Sequence, residues 1–333
     1  MKVTVLGAGS WGTTLALILE SNGHKVTCWS FDTGDIRDIN NARENKKFLP
    51  GVLLPESLVF TSDLQAAIAD TEVIVIVIPS HAVRDVVSKI AAKVSSNVIW
   101  VTAAKGIENK TYLRMSQVIT EVCSAGADDV AVLSGPSHAE EVSRRVPTAI
   151  VAGSVNKGTA RKVQDLFMTP YFRVYANLDI AGVEFGGALK NIIALAAGIC
   201  DGAGFGDNTK AALMTRGLVE MNRLGVKLGA NSDTFAGLSG MGDLIVTCMS
   251  RHSRNRYVGE QIGKGRTLQD ILDEMVMVAE GVKTTQSVFG LAKKEKVEMP
   301  ITVQVYKTLF ENKSPVKAMQ DLMTRASKIE DWS

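Results

Sequence analysis

Lys190 and Asn191 are the polar residues in a stretch that otherwise reads Gly186, Gly187, Ala188, Leu189, then Ile192, Ile193, Ala194. At helical spacing Lys190 shares a face with Val183, Gly186, Gly187, Ala194 and Ala197. Small apolar neighbours let a flat ring approach and strip water from the ammonium. Desolvation lowers a lysine's pKa, the condition for donating or accepting a proton near neutrality. The competing reading is a lysine whose stem runs along a buried helix to water. A second cluster is Gly237-Leu-Ser-Gly240-Met-Gly242-Asp243 followed by Thr247. Asp243 and Thr247 share a face if a helix starts there, and Asp243 then also suits a helix-terminal acid. A third cluster holds Arg251, Arg254 and Arg256 with Ser253 and Asn255, a donor set for a phosphate or carboxylate. The same string fits a solvated basic loop or an RNA contact. Near-neutral net charge and the lack of interleaved aromatics argue against RNA.

These side chains need a scaffold, and the opening of the chain supplies one. Lys2–Leu6 is an apolar β-type run, Gly7-Ala8-Gly9-Ser10-Trp11-Gly12 a glycine loop, and Thr13–Glu20 a helical stretch; Lys25–Ser30 reads as a second strand. In a dinucleotide site Gly7 makes the turn, Gly9 lets a pyrophosphate approach the backbone, and Gly12 lets helix and strand pack closely. The helix then points free N–H groups at the phosphates. Five further strand-like runs follow: Val73–Ile78, Val98–Thr102, Val130–Ser134, Ala149–Ala152 and Phe172–Ala176. Helical patterns at His81–Lys93, Thr111–Cys123 and Lys157–Met168 separate several of them. Such alternation means an α/β Rossmann domain with a doubly wound, mostly parallel sheet. Ligands bind outside the C-terminal strand ends of such sheets. Pro79-Ser80, Lys105-Gly106 and Gly135-Pro136-Ser137 all follow strands and are expected there. Ser137-His138-Ala139-Glu140 also has the capping-box spacing, and a capped helix start can still receive an anion. His138 is read as structural.

Residues 33–54 read as a short helix and a long loop with no assigned mechanism. After Asn177 strand-like runs stop and helical segments begin, clearest at Asp179–Cys200 and Asn208–Leu228. Thr267 with Asp270, and Ser314 before Pro315, look like helix starts. The chain therefore divides into a dinucleotide-binding domain at 1–177 and an all-α domain at 178–333.

The 333 residues suit two domains. A hydrophobic content of 46% and a charged content of 22% make the composition globular. A net charge of +2 gives no case for a nucleic-acid or membrane partner. The first apolar run ends at Leu6, too short for a signal peptide, and no apolar run is read as reaching the ~20 residues of a membrane span. Cys28, Cys123, Cys200 and Cys248 are scattered without disulfide or metal spacing, which points to reduced thiols in a cytosolic protein and no metal.

Taken together, several motifs resemble NAD(P)-dependent glycerol-3-phosphate dehydrogenases, in particular the bacterial biosynthetic enzymes. They are Gly7–Gly12, Lys105-Gly106, Leu133–Glu141, Gly186–Asn191, Gly240–Asp243, Ser253–Asn255 and Glu280-Gly281. The match runs through essentially the whole chain in order. It implies an N-terminal Rossmann domain, a C-terminal helical domain and an active site between them. It implies reversible hydride transfer between NAD or NADP and C2 of dihydroxyacetone phosphate, giving sn-glycerol 3-phosphate for phospholipid synthesis. By position, Lys190 matches the proton donor and acceptor, with Lys105 and Asp243 its active-site partners. Gly135, Ser137, Ser253, Arg254 and Asn255 match substrate contacts. Ser10, Trp11, Lys105, Ala139, Arg254, Val278 and Glu280 match cofactor contacts, beside the loop glycines. The resemblance also implies a cytoplasmic homodimer.

One departure bears on the cofactor. Many bacterial relatives carry a basic residue just after the second strand, where this chain has Phe31-Asp32. An acid there can accept from the adenosine ribose 2′-OH and would repel a 2′-phosphate, so Asp32 leans to NAD. Asp32 as a helix cap is the alternative. Another dehydrogenase of similar architecture explains the glycine loop and Lys190 but does not call for Ser253–Asn255. A cofactor-sensing regulator explains the loop but not Lys190.

Overall fold

The protein is described from a computed structural model, which covers residues 1–327, 329 and 330. Positions 328 and 331–333, at the end of the expected second domain, lie outside the described residues. The chain forms two compact units. One is Met1–Lys105 with Leu113–Val183, and the other is Gly106–Tyr112 with the chain from Glu184 onward.

The first unit is built on an eight-stranded sheet. Its strands are β1 (Lys2–Leu6), β2 (Lys25–Trp29), β3 (Val59–Thr61), β4 (Val73–Ile76), β5 (Ile99–Thr102), β6 (Val130–Ser134), β7 (Thr148–Gly153) and β8 (Phe172–Asn177). Their spatial order is β3-β2-β1-β4-β5-β6-β7-β8. Every pairing is parallel except β6–β7, which is antiparallel and pairs Leu133 with Ala152. Central β4 is buried at all four positions, as its unbroken Val-Ile-Val-Ile run requires of a strand covered on both faces. The helices of this unit are α1 (Ser10–Ser21), α2 (Thr33–Ala42), α3 (Leu64–Ile68), α4 (Val83–Ser88), α5 (Met115–Cys123), α6 (Ala139–Val142) and α7 (Lys157–Phe167).

Three local expectations change. β3 is an extra strand that pairs Thr27 of β2 with Val59 at the sheet edge. The helix expected over 81–93 is three short pieces, Ser80–Ala82, Val83–Ser88 and Ala91–Lys93. The helix expected from Thr111 starts only at Met115, because Lys110 and Tyr112 take φ of 74° and 63°. Such left-handed backbone cannot begin a right-handed helix.

Apart from the strip Gly106–Tyr112, the regular elements of the second unit are all helices among the described residues. It holds α8 (Ile180–Ala203), α9 (Asp207–Lys227), α10 (Ser232–Phe235), α11 (Asp243–Met249), α12 (Arg254–Gly263), α13 (Leu268–Glu274), α14 (Glu280–Glu295), α15 (Pro300–Phe310) and α16 (Pro315–Met323). The division between the units falls inside α8. That helix corrects the reading of hydropathy: it is long and apolar enough to cross a membrane, with a mean hydropathy of 1.4, but that apolar window is wholly buried in the protein. Thr267 and Ser314 cap α13 and α16 as expected, accepting from Asp270 N and Lys317 N. The strip Gly106–Tyr112 belongs to this unit because α14 holds it. Ser287 Oγ donates to Ile107 O at 2.9 Å and lies 2.6 Å from Asn109 Oδ1.

Candidate active site

In the first unit the glycine loop sits at the C-terminal end of β1. Gly7 has φ of 121°, and a Cβ there would lie 2.6 Å from Val77 O. A Cβ on Gly12 would lie 1.8 Å from Gly7 O, so α1 can cross the turn this closely only with glycine at that position. Gly9 differs: a Cβ there meets nothing within 4 Å. Its outer side is open, at the N-terminus of a twelve-residue helix. Ser10 is buried in the first turn, and the half-buried Trp11 ring is 6.2 Å from that of Phe172.

The ends of β5 and β6 bring Lys105, Gly135 and Ser137 together. Lys105 Nζ donates to Gly135 O at 3.1 Å, and Ser137 Oγ donates to the same carbonyl at 2.9 Å. The expected capping box is therefore corrected. His138, not Ser137, occupies the cap position of α6, and no side chain caps it. Ser137 is already engaged with Gly135 O. Ala139 is the buried first residue of α6. Gly135 has φ of 142°, and its missing Cβ would press on Ile150 Cα at 2.9 Å. Past β2, Phe31 is 82% exposed, while Asp32 caps α2 by accepting from Asp35 N at 2.9 Å. The capping role of Asp32 is thus present in the structure.

In the second unit Lys190 is 6% exposed and does not reach for water. Its Nζ donates to Asp243 Oδ1 at 2.7 Å and to Thr247 Oγ1 at 2.6 Å. Asp243 opens α11 and is 1% exposed; Thr247, one turn on, donates to Asp243 O at 2.6 Å. Asp243 is thus both the helix-terminal acid that the sequence offered and the ion-pair partner of Lys190. Two glycines allow the approach. A Cβ on Gly186 would lie 2.5 Å from Ser239 O, and one on Gly240 would lie 2.1 Å from Phe235 O. The backbone around Gly240 forms a π-helical turn, Leu238–Gly242, that delivers Asp243 to the lysine. Cys248 lies beside this cluster, its thiol pushed up to about 12 by burial, which leaves it unreactive.

The basic cluster is more divided than its spacing suggests. Arg256 is committed elsewhere: its Nε and Nη2 lie 2.7 Å from Asp201 Oδ2, a carboxylate that also receives Lys210 Nζ at 2.8 Å. Ser253 caps α12 by accepting from Arg256 N at 3.2 Å. Asn255 is buried, donating to Asn191 Oδ1 and accepting from Gly281 N, both at 2.9 Å. Asn191 therefore ties α8 to α12. Arg254, the first residue of α12, is exposed. Val278 is exposed, and Glu280 is the first residue of α14. Sequence reasoning missed Asp201, a carboxylate eleven residues past Lys190 whose partners are not neighbours in sequence. It also missed Asn45, which reaches back to the glycine loop.

Two family models match, in order. The NAD-dependent glycerol-3-phosphate dehydrogenase N-terminus covers residues 2–160, and the corresponding C-terminus covers 179–320. The chain belongs to the NAD-dependent glycerol-3-phosphate dehydrogenase family. A protein named glycerol-3-phosphate dehydrogenase (NAD(P)+) from Thermoanaerobacter sp. strain X514 is 54% identical over 330 residues, covering 99% of both chains. One of the same name from Chlorobium phaeobacteroides strain DSM 266 is 54% identical over 333 residues, covering 100% of both. The crystal structure of glycerol-3-phosphate dehydrogenase from Coxiella burnetii matches with a TM-score of 0.93 at 37% identity, covering 97% of this chain and 99% of that one. The N-terminal dehydrogenase match contains the glycine loop, Lys105 and Gly135–Ala139. The C-terminal match contains Lys190, Asp243, Ser253–Asn255 and Glu280.

Proposed function

We propose that the buried Lys190–Asp243–Thr247 cluster is the proton-transfer centre of an NAD(P)-dependent glycerol-3-phosphate dehydrogenase reaction. The substrate pair is dihydroxyacetone phosphate and sn-glycerol 3-phosphate. The observation that carries the reading is a lysine at 6% exposure with an aspartate at 2.7 Å and a threonine at 2.6 Å.

NAD or NADP fits the first unit. The open side of Gly9 and the N-terminus of α1 suit a pyrophosphate. When bound, the reduced cofactor supplies the hydride to C2. Lys190 donates its proton to the C2 oxygen, turning the alkoxide that hydride addition leaves into an alcohol; in reverse it takes that proton back. Asp243 and Thr247 fix the direction of Nζ, so the proton is delivered along one line. Lys105, held on Gly135 O, supplies positive charge for the developing alkoxide. Arg254 and Ser253, at the start of a ten-residue helix, present a cation and a helix N-terminus to the substrate phosphate. Asn255 Nδ2 carries two donors, one of which goes to Asn191, leaving the other for the substrate phosphate. By the family resemblance Gly135 and Ser137 are assigned to the substrate, and Ser10, Trp11, Ala139, Arg254, Val278 and Glu280 to the cofactor. The protein works as a cytoplasmic homodimer and supplies sn-glycerol 3-phosphate for phospholipid synthesis; full-length resemblance to the bacterial biosynthetic enzymes supports this. NADH is the preferred donor, on the acid at position 32.

The test is loss of reduced-nicotinamide absorbance when dihydroxyacetone phosphate is added, followed by chiral analysis of the product. Absence of turnover, or a product other than sn-glycerol 3-phosphate, rejects the reading.

A further inference from the structure

Asn45 lies in the stretch to which the sequence assigns no role, and it is 1% exposed. Its side chain faces two ways. Oδ1 accepts from Phe48 N at 3.2 Å, and its own carbonyl accepts from Leu49 N at 2.8 Å, which closes a local turn. Nδ2 donates to Ala8 O at 2.8 Å and to Thr13 Oγ1 at 2.9 Å. Both donors of the amide thus go to the glycine loop and the first turn of α1.

The Ala8 carbonyl is a telling place to anchor. A trans peptide is planar, so the C=O of one residue and the N–H of the next point in opposite directions. Holding Ala8 O therefore fixes the direction of the Gly9 N–H. Gly9 is also the residue whose missing Cβ leaves open space. Ala8 stands between two glycines, whose backbones are the least constrained of any residue. Thr13 Oγ1 also donates to Ala8 O, but at 3.5 Å against 2.8 Å for Asn45 Nδ2, so without Asn45 this peptide plane is held only by the longer bond and has more freedom to rotate. With it, the donor is set before a ligand arrives, which reduces the ordering cost of binding.

We propose that Asn45 is a positioning residue of the dinucleotide site, holding the Ala8–Gly9 peptide so that the Gly9 N–H serves the cofactor pyrophosphate. This rests on the cofactor reading above. Asn45 acts through the loop and does not touch the cofactor.

Two variants separate the loop anchor from the local turn. Asn45→Asp keeps an oxygen for Phe48 N but turns an acceptor against Ala8 O. Asn45→Ser keeps a turn-forming oxygen but is too short to reach Ala8. Each is titrated by calorimetry with ADP-ribose, which carries the pyrophosphate, and with AMP, which carries one phosphate. The ADP-ribose Kd should rise on the order of tenfold, the scale of one or two lost buried hydrogen bonds, while the AMP Kd changes little. The KM for NADH should follow ADP-ribose, and the KM for dihydroxyacetone phosphate should stay at its wild-type value. An equal loss for ADP-ribose and AMP overturns the proposal, because a general structural defect weakens both. So does an unchanged ADP-ribose Kd in a variant with wild-type Tm. If neither variant folds, Thr13→Ser, which keeps the hydroxyl on Ala8 O and Asn45 Nδ2, and Thr13→Val, which removes both contacts, are compared; Thr13→Val must shift the ADP-ribose to AMP ratio in the same direction relative to Thr13→Ser, and an unshifted ratio overturns the proposal. A wild-type protein that binds no ADP-ribose instead rejects the cofactor reading itself.

Discussion

The role proposed for Lys190 rests on the surroundings of its ammonium. An ammonium removed from water and held by a carboxylate and a hydroxyl has one orientation to offer. Lys190→Ala should therefore lower turnover by about 10²–10⁴-fold, the usual contribution of a positioned acid–base group. NADH affinity, read by titration, should persist because the glycine loop is untouched. A variant that keeps most of its wild-type kcat would remove Lys190 from the mechanism. Breaking a buried ion pair costs roughly 3–5 kcal/mol, so Tm has to be read alongside kcat. Arg254 carries a separate prediction. Losing one charge-assisted bond is worth about 1.5–3 kcal/mol, or roughly 10–150-fold in affinity. Arg254→Ala should raise the KM for dihydroxyacetone phosphate by that factor and leave unphosphorylated dihydroxyacetone nearly unaffected. Equal effects on both would show that Arg254 does not read the phosphate. Lys190 was legible in the sequence because a lysine among glycine, alanine and isoleucine is conspicuous. The fate of Arg256 was not, since its partner Asp201 lies fifty-five positions away.

At the scale of elements, α8 and α12 meet backbone to backbone. A Cβ on Gly198 would lie 2.0 Å from Arg256 O, and one on Gly259 would lie 2.0 Å from Leu195 O. This reciprocal contact sets where α12 begins, and with it Ser253 and Arg254. Gly198→Ala puts a carbon where backbone already is, so one helix must shift. It should destabilise by about 1–3 kcal/mol or more in urea unfolding. It should also raise the KM for dihydroxyacetone phosphate more than the KM for NADH; an unchanged KM with lowered stability would separate packing from substrate binding. The cap of α2 carries the prediction on cofactor choice. Asp32 satisfies Asp35 N, so Asp32→Arg forfeits the cap, at about 1 kcal/mol. It should nonetheless move the ratio of kcat/KM values toward NADPH. A wild-type ratio that already favours NADPH would sink the role given to Asp32, and an unmoved ratio in the variant would leave it a cap alone. Helices such as α8, α9 and α16 were legible from periodicity and capping residues. The π-helical turn before Asp243 was not, because it depends on Gly186 meeting the distant backbone of Ser239 and on Gly240 folding tightly onto Phe235, contacts with no sequence period.

For the whole molecule, alternating apolar strands and amphipathic helices made the sheet and its helices readable in advance. They were silent on the antiparallel β7 and on the strip Gly106–Tyr112, whose place is decided by Ser287 on a distant helix. The same kind of long-range pairing gives the protein a pH-dependent stability. Glu220 on α9 is 2% exposed, and its carboxylate caps the start of α15, accepting from Ile301 N at 2.5 Å and from Thr302 N at 3.2 Å. Burial pushes its pKa up to about 7, against the opposing pull of these N–H bonds. The folded state therefore holds this proton more tightly than the unfolded chain does. The resulting stabilisation is fully present below the ordinary glutamate range and is lost as pH rises through about 7. One pKa unit is about 1.4 kcal/mol, so the change across the window is on the order of 3 kcal/mol. Glu220→Gln cannot titrate, although its amide has one acceptor oxygen for two N–H groups and lowers Tm at every pH. The readout is consequently the difference between wild-type and variant Tm, followed by thermal unfolding from pH 5 to pH 8. That difference should shift against the wild type by several degrees over this range, and a constant difference would show that Glu220 does not change protonation on unfolding.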